Sequence, residues 1–448
     1  MQRLGASIGW PQMWRCAVAA AAVLACVLAA VAPSPCPAAP GGSVSVGSNA
    51  DVVLADCAGI VSVACSVGSD GRWANASIAI VNSTVGGIAC GAATAIVNVT
   101  VLVRGCRLPM EGAPLYVVSL ALGGGGSSST PATATGITLR VADSSFAWAW
   151  PSGAAGLVQF DSFAALSGVS VAVVGTNVSV LSNSTVSAVL FASVVAVEDV
   201  VVALLRSVVT MNVTLPQTFG AYVTVVLFLL ANGSTPAAAA GVSGARVMCD
   251  SSTVVIDARS AAAAAVIYSQ AQAYVVKFNG VSSAQPSALR GVELSVVRSR
   301  VLLSAVEVAA ALYLFQVNVS ALLVVVADTT FGAQCVDGLP VYYRASAVAI
   351  VGNATVATAV SLSVWNSTLA LQALAGVDVP QYDQTSFTSS AAVVLLLNGV
   401  QQEDVTVAVV ASKVTAALLS SYAAFMPVFS LTAGIVVIAQ QSLRRWPS

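Results

Sequence analysis

The stretch Leu362–Leu371, LSVWNSTLAL, alternates apolar and polar residues and carries an Asn-Ser-Thr triplet at its centre. Alternation with a period of two is typical of a β-strand that buries one face. A cluster of Asn, Ser and Thr is typical of a turn. We therefore expect Leu362 and Val364 to share one face, opposite Ser363 and Trp365, with the triplet forming a corner between two strands.

Copies of this pattern recur along the chain as IVNSTV, VRGCRL, VADSSF, LSNSTV, LLRSVV, CDSSTV, VVRSRV, VADTTF, VWNSTL and VASKV. Successive copies end 23 to 47 residues apart. Most gaps lie near one or two multiples of about 22 residues, as expected for a solenoid with some degenerate corners. Arg takes the place of Asn at some corners and is rarely buried without a partner, so we expect Asn82, Asn183 and Asn366 to face solvent.

Strands that recur in this way bury their apolar side chains by stacking in parallel, rung upon rung. The sequence predicts an all-β fold, a right-handed parallel β-helix with rungs of about 22 residues, and hence roughly 17 rungs. Tandem antiparallel β-sandwiches are the alternative, because sequence alone does not determine strand direction.

Composition and apolar runs divide the chain. It is 57% hydrophobic and 8% charged, but its runs after residue 33 are short and Val-rich, which favours buried strands over membrane helices. Residues 1–39 contain an apolar run and a Pro-rich end, typical of a signal peptide or signal anchor. Residues 40–422 form the repetitive ectodomain, and 423–448 are the last repeat or a C-terminal transmembrane segment.

Ten of the thirteen asparagines lie in Asn-X-Ser/Thr sequons, which predicts N-glycosylation of an extracellular surface; good turn chemistry is the alternative explanation. These candidates are Asn75, Asn82, Asn98, Asn177, Asn183, Asn212, Asn232, Asn318, Asn353 and Asn366. Four clustered cysteines, Cys57, Cys65, Cys90 and Cys106, predict one or two disulfides. Cys249 and Cys335 are expected to be small buried side chains.

The sequence offers little catalytic chemistry. It contains no His, and its acids at corners, such as Asp143, Asp250 and Asp328, alternate with Asn, Gly and Arg, as a structural turn position would. The pairs Glu198–Asp199 and Glu403–Asp404 are interpreted as solvated turns. We therefore predict no catalytic residue, no metal and no cofactor. The net charge of −1 gives no indication of a nucleic-acid partner.

With Val- and Ala-rich strands that end in VADSSF, VADTTF and WNSTL, the chain resembles the trypanosomatid dispersed gene family surface proteins over most of residues 40–440. The resemblance implies a β-helix-like, glycosylated surface protein involved in host or surface interaction, and no catalytic residue is carried over. We predict a non-enzymatic, secreted or cell-surface repeat protein that binds an extracellular protein or glycan, with membrane association through either terminus. The alternative is a carbohydrate-active β-helix enzyme of the lyase or hydrolase type, which would need clustered carboxylates.

Overall fold

In the computed structural model, the described residues are 33–37, 42–91, 93–109, 113–121, 132–149, 154–213, 222–231, 240–258, 271–282, 286–335, 343–352, 356–375, 387–397, 401–420 and 429–439. Within these ranges all regular elements are β-strands, and the strands pair in parallel in three sheets. The predicted parallel β-helix is confirmed and the antiparallel sandwich is wrong. The right-handed winding, which parallel crossovers favour, stays a prediction.

The first sheet contains β1 (Ser43–Val46), β3 (Ile60–Cys65), β6 (Thr84–Cys90), β9 (Tyr116–Ala121), β13 (Gly156–Asp161), β16 (Val186–Val194), β19 (Tyr222–Leu230), β23 (Gln272–Asn279), β26 (Val308–Phe315), β29 (Tyr343–Gly352), β32 (Phe387–Leu397) and β35 (Phe429–Ala439). The second contains β2 (Asp51–Ala55), β4 (Arg72–Ala74), β5 (Ser77–Val81), β7 (Ala95–Val97), β8 (Thr100–Arg104), β10 (Thr133–Thr135), β11 (Thr138–Ala142), β14 (Ala165–Val174), β17 (Ala196–Leu205), β20 (Gly241–Ser243), β21 (Arg246–Asp250), β24 (Ser287–Val297), β27 (Val317–Ala327), β30 (Val356–Trp365) and β33 (Gln401–Val410). The third contains β12 (Ser145–Ala149), β15 (Asn177–Ser182), β18 (Val208–Val213), β22 (Thr253–Ala258), β25 (Arg300–Ala305), β28 (Thr330–Cys335), β31 (Thr368–Ala375) and β34 (Lys413–Ser420).

The rungs are longer and fewer than predicted. Val208 pairs with Asn177 on one side and with Thr253 on the other, so the 45 residues from Ser207 to Ser252 make one rung. The shortest corner-to-corner step among the described residues is 23 residues, from Asn75 to Asn98. The first sheet stacks 12 strands, so the described solenoid is about 50 Å long at a spacing of about 4.8 Å per strand.

The interior is one continuous apolar core. Inward-facing Val and Leu side chains from all three sheets form it, and Phe160, Phe191, Phe228 and Phe278 stack in its centre with ring centroids 4.4–5.1 Å apart. Along β30, Leu362 and Val364 are buried, while Trp365 is 53% exposed. The predicted division of faces in this strand is confirmed.

The ends of the chain lie partly outside the described residues. Phe429–Ala439 pairs with Phe387–Leu397 as another strand of the first sheet, and the assignment of residues 423–448 stays a prediction. Near the other end, Ser34 donates its backbone N–H to Val53, so Pro33–Pro37 lies against the first rung although the sequence assigns it to the leader segment. In the described ranges no helix is long and apolar enough to cross a membrane.

Candidate functional site

Eleven strands of the second sheet each end at a corner residue with positive φ. These residues are Asp56, Asn82, Gly105, Asp143, Gly175, Arg206, Ser251, Arg298, Asp328, Asn366 and Ala411, with φ between 44° and 63°. Gly adopts this left-handed conformation without strain, and Asn and Asp tolerate it better than other residues. The alternation of residue types therefore reflects one backbone requirement, as predicted.

A small polar residue follows each corner residue and points inward. The set is Cys57, Ser83, Cys106, Ser144, Thr176, Ser207, Ser252, Ser299, Thr329, Ser367 and Ser412. From Thr176 to Ser367 each backbone N–H in the set donates to the hydroxyl of the next rung, at 3.0–3.3 Å, and Ser412 is the last acceptor. We call this the hydroxyl ladder; it satisfies backbone donors that the tight corner leaves inside the protein.

The sequence alignment of corners was wrong in two copies. LSNSTV is not a corner of this series, because Asn183 follows third-sheet strand β15; the corner of that rung is Gly175-Thr176. In CDSSTV the left-handed residue is Ser251, not Asp250. Gly175 was missed because VVGTNV lacks the polar triplet by which the other copies were found.

Seven of the candidate glycosylation sites have exposed side chains: Asn75, Asn82, Asn98, Asn177, Asn183, Asn212 and Asn366. Asn318 is half-buried and accepts the N–H of Val356, whereas Asn232 and Asn353 lie outside the described residues. The predicted exposure of Asn82, Asn183 and Asn366 is confirmed. Exposure and stacking coexist, however: Asn82 Nδ2 donates to Asp56 Oδ1 at 3.1 Å, and Asn366 Nδ2 to Asp328 Oδ1 at 2.7 Å.

The acids at or next to the corners occur in separate pairs along the solenoid. Asp143 lies 3.3 Å from Arg104, and Asp250 accepts two hydrogen bonds from Arg298, at 2.9 and 2.6 Å. Glu198–Asp199 is exposed at a bend of the second sheet, as is Asp404 of the second acidic pair, so the predicted solvated turns are confirmed there. No group of three or more His, Cys, Asp or Glu residues that could hold a metal occurs in the part of the chain that the structure describes.

The cysteine prediction is correct in part. Disulfides join Cys65 to Cys90 and Cys57 to Cys36. Cys36 was not among the candidates, because it lies in the segment assigned to the leader. Cys106 is free, contrary to prediction: it occupies a buried rung of the hydroxyl ladder, where its backbone N–H donates to Ser144. Cys249 and Cys335 are free and buried, as expected.

A compact polar cluster lies on the outward face of the first sheet, and the sequence did not predict it. Gln272, Tyr274 and Lys277 of β23 are all buried, together with Tyr313 of β26. The Lys277 ammonium nitrogen lies 3.2 Å from the ring centroid of Tyr222 and 5.3 Å from those of Tyr274 and Tyr313. We call these residues, with Glu307, the lysine cluster.

Hydrogen bonds connect the cluster through one side-chain amide. Gln272 Nε2 donates to Glu307 Oε2 at 2.6 Å, and Gln272 Oε1 accepts the Tyr274 hydroxyl at 2.7 Å. Lys277 Nζ donates to the same Oε1 at 3.3 Å. An aromatic cage around a cation is stabilising, but the amine and the carboxyl group both lose solvation there.

Burial changes the acid–base properties of the cluster. It lowers the pKa of Lys277 to about 7, although nearby Glu307 acts in the opposite direction. It also raises the pKa of Glu307, against the hydrogen bond from Gln272 and the charge of Lys277. Both shifts favour the neutral form, as desolvation does. The amine of Lys277 therefore becomes neutral at a lower pH than an exposed lysine does. The carboxyl group of Glu307 stays protonated to a higher pH than an exposed glutamate does.

One sequence signal could have revealed this cluster. The chain has two lysines, and Lys277 stands in the middle of an apolar strand, AYVVKFN. A lysine in such a strand must either face solvent or find buried partners. The partners come from β19 and β26, and from Glu307 directly before β26, so rung register is needed to identify them.

Comparison with known proteins adds little to the geometry. No family model matches the chain, and no curated protein matches it. Among solved structures, the crystal structure of the periplasmic alginate epimerase AlgG is similar over 90% of this chain and 79% of that chain, at 9% identity and a TM-score of 0.19. We draw no argument about function from a likeness at that level.

Proposed function

We propose that the protein is an N-glycosylated, secreted or cell-surface β-solenoid that acts in adhesion or surface interaction without catalysing a reaction. The observation that carries the proposal is the exposure of seven sequon asparagines on corners and outward strand faces. A sequon used only for turn chemistry would not need to recur in the third sheet, where Asn177 and Asn212 lie within strands.

Two further features support an extracellular setting. Both disulfides lie in the first rungs. One joins the segment 33–37 to the solenoid through Cys36 and Cys57, and the other joins the neighbouring strands β3 and β6 through Cys65 and Cys90. Such bonds persist in oxidising compartments. The resemblance to trypanosomatid dispersed gene family surface proteins, drawn from the repeat pattern, leads to the same proposal. A parallel β-helix offers a long, regular outer surface on which an extracellular protein or glycan can bind.

Glycopeptide mass spectrometry of the full chain, secreted from a eukaryotic host, tests the proposal. We expect glycans on several of the seven exposed asparagines and the lowest occupancy at half-buried Asn318, which serves as the internal control. Labelled protein should bind to cell surfaces or to a glycan array. A secreted, folded chain with all seven sites empty, or without surface binding, would contradict the proposal.

The alternative, a carbohydrate-active enzyme, has a separate test. The acids that such chemistry would bring together lie in individual pairs, Asp143 with Arg104 and Asp250 with Arg298. We expect no cleavage of acidic polysaccharides by the full chain. Cleavage that disappears in Asp143→Ala or Asp328→Ala would favour the enzyme instead.

A further inference from the structure

Three side chains of the lysine cluster converge on the amide of Gln272. Its oxygen lies 2.7 Å from the Tyr274 hydroxyl and 3.3 Å from Lys277 Nζ, and its nitrogen lies 2.6 Å from the Glu307 carboxyl group. A purely structural role for Lys277 would need only the aromatic cage and a counter-charge. The arrangement instead places the amine of Lys277 beside the side-chain amide of Gln272. The oxygen of that amide contacts Tyr274, and its nitrogen contacts Glu307.

We propose that Lys277 and Gln272 form an intramolecular amide bond. Lys277 Nζ attacks Gln272 Cδ, so a Cδ–Nζ bond forms and the Cδ–Nε2 bond breaks. The Glu307 carboxyl group gives its proton to Nε2 and takes one from Nζ, and ammonia leaves. The products are a secondary amide and one ammonia, so atoms and charge balance without an oxidant or a second reactant.

Each contact has a defined role in this reaction. Tyr274 donates a hydrogen bond to the oxygen that becomes negative in the tetrahedral intermediate, and such donors are most effective in a site without water. Glu307 touches the leaving nitrogen and acts as general acid and base. The ring of Tyr222 holds the amine over the site at 3.2 Å.

Burial prepares the reacting groups. Lys277 is 2% exposed and Gln272 9%, which keeps water from competing with the amine. A lysine whose pKa is lowered to about 7 supplies the neutral amine that a nucleophile requires. Burial raises the pKa of Glu307, so its carboxyl group holds a proton to a higher pH than an exposed glutamate does. Because the fold holds the amine and the amide in contact, the reaction is intramolecular, and this proximity lowers its barrier further.

The other lysine provides a matched control. Lys413, at the start of β34, has an exposed side chain, and nothing about its position favours attack on an amide. Gln272 is the acceptor rather than Glu307, because Lys277 Nζ lies 3.3 Å from the amide oxygen of Gln272.

Mass spectrometry of the full, folded chain tests the proposal. If the bond forms, trypsin does not cut after Lys277, so residues 260–290 appear as one peptide that is lighter by one ammonia. Fragmentation should place the link between positions 272 and 277, and Lys413 should remain a normal cleavage site. Cleavage after Lys277 with the unmodified mass would overturn the proposal, as would a link that has lost water to Glu307.

Variants separate chemistry from folding. Lys277→Arg keeps a cation in the cage but removes the nucleophile, so the mass loss should disappear, whereas Lys413→Arg should leave it unchanged. Glu307→Gln keeps the shape and removes the proton donor, so bond formation should slow at least tenfold. If Glu307→Gln forms the bond at the wild-type rate while showing a wild-type circular dichroism spectrum, the assigned role of Glu307 is wrong. The peptide mass of the wild-type chain tests the bond directly, so the test does not depend on whether any variant folds.

Discussion

Replacing Ser299 by Ala tests whether the hydroxyl ladder, and not only apolar burial, holds the corners in register. Ser299 is buried; its hydroxyl accepts the N–H of Ser252 at 3.1 Å and donates to the carbonyl of Val297 at 2.7 Å. The carbonyl of Val297 also accepts the N–H of Ser251, at 3.0 Å. The hydroxyl also lies 3.2 Å from the carbonyl oxygen of Cys249. The substitution therefore leaves the buried N–H of Ser252 without its acceptor.

The expected cost follows from that one group. A buried donor that loses its acceptor costs about 1–3 kcal/mol. Ser299→Thr should cost much less, because Thr329 performs the same role one rung away and accepts the N–H of Ser299 at 3.3 Å. Ser412→Ala is the matched control at the half-buried end of the ladder; water can replace its hydroxyl there, so we expect about 0–1 kcal/mol.

Hydrogen exchange read by mass spectrometry suits this test better than global unfolding, since stacked rungs unfold locally. A loss of about 1–3 kcal/mol should speed exchange of peptides covering Arg246–Ala258 about 5- to 150-fold. Peptides from the first rungs should not change. Equal protection in wild type and Ser299→Ala, or a larger effect in Ser299→Thr, would refute the claim that the hydroxyl satisfies the corner.

Three further predictions concern the core, a cysteine and pH. Phe228→Ala should cost about 3–5 kcal/mol, because its ring lies between Phe191 at 4.5 Å and Phe278 at 4.4 Å; the midpoint of denaturant unfolding measures this loss, and a change below 1 kcal/mol would contradict it. Cys106→Ser should be nearly neutral by the same measure, and Cys106 should resist thiol reagents until the chain unfolds, because burial raises its pKa. Ammonia release during folding of freshly synthesised chain should speed up as pH rises through about 7, where Lys277 loses its proton, and slow at higher pH as Glu307 loses the proton that it donates; a rate independent of pH would count against both roles.

The local pattern of this protein could be predicted from its sequence because strand and corner each have a short-range cause. Alternation along LSVWNSTLAL predicts the buried Leu362 and Val364 and the exposed Trp365. The corner requires a residue that tolerates positive φ, and the side chain of that residue points away from the core. Both rules operate within a few residues.

Rung length could not be predicted in the same way. Successive members of the hydroxyl ladder lie 23, 26, 30, 31, 32, 38, 45 or 47 residues apart in different rungs. Each step is one turn of the solenoid. Long turns are tolerated because the cost of closing a longer connection grows only slowly with its length. A rung length of about 22 residues therefore counts one long turn as two, and the predicted number of rungs is too high.

The lysine cluster depends on register between rungs that are far apart in sequence. Gln272 pairs with Tyr222 on one side and Val308 on the other, so Glu307 reaches the Gln272 amide across 35 residues. No local pattern encodes that distance. The one local signal is a lysine in an apolar strand.

A parallel β-helix with these corners separates folding from function by side-chain direction. Inward positions are restricted by stacking, which explains why hydroxyl follows hydroxyl and phenylalanine follows phenylalanine from rung to rung. Corner positions are restricted only in φ, so Asn366 can carry a glycan and Arg298 can bind Asp250 on the same backbone. On the outward face of the first sheet residues stack as well, and Tyr274 packs on Tyr313 with ring centroids 5.0 Å apart. Apolar or aromatic side chains would satisfy that stacking, so it does not require the amine of Lys277, the amide of Gln272 and the carboxyl group of Glu307, and we assign these three groups chemistry of their own.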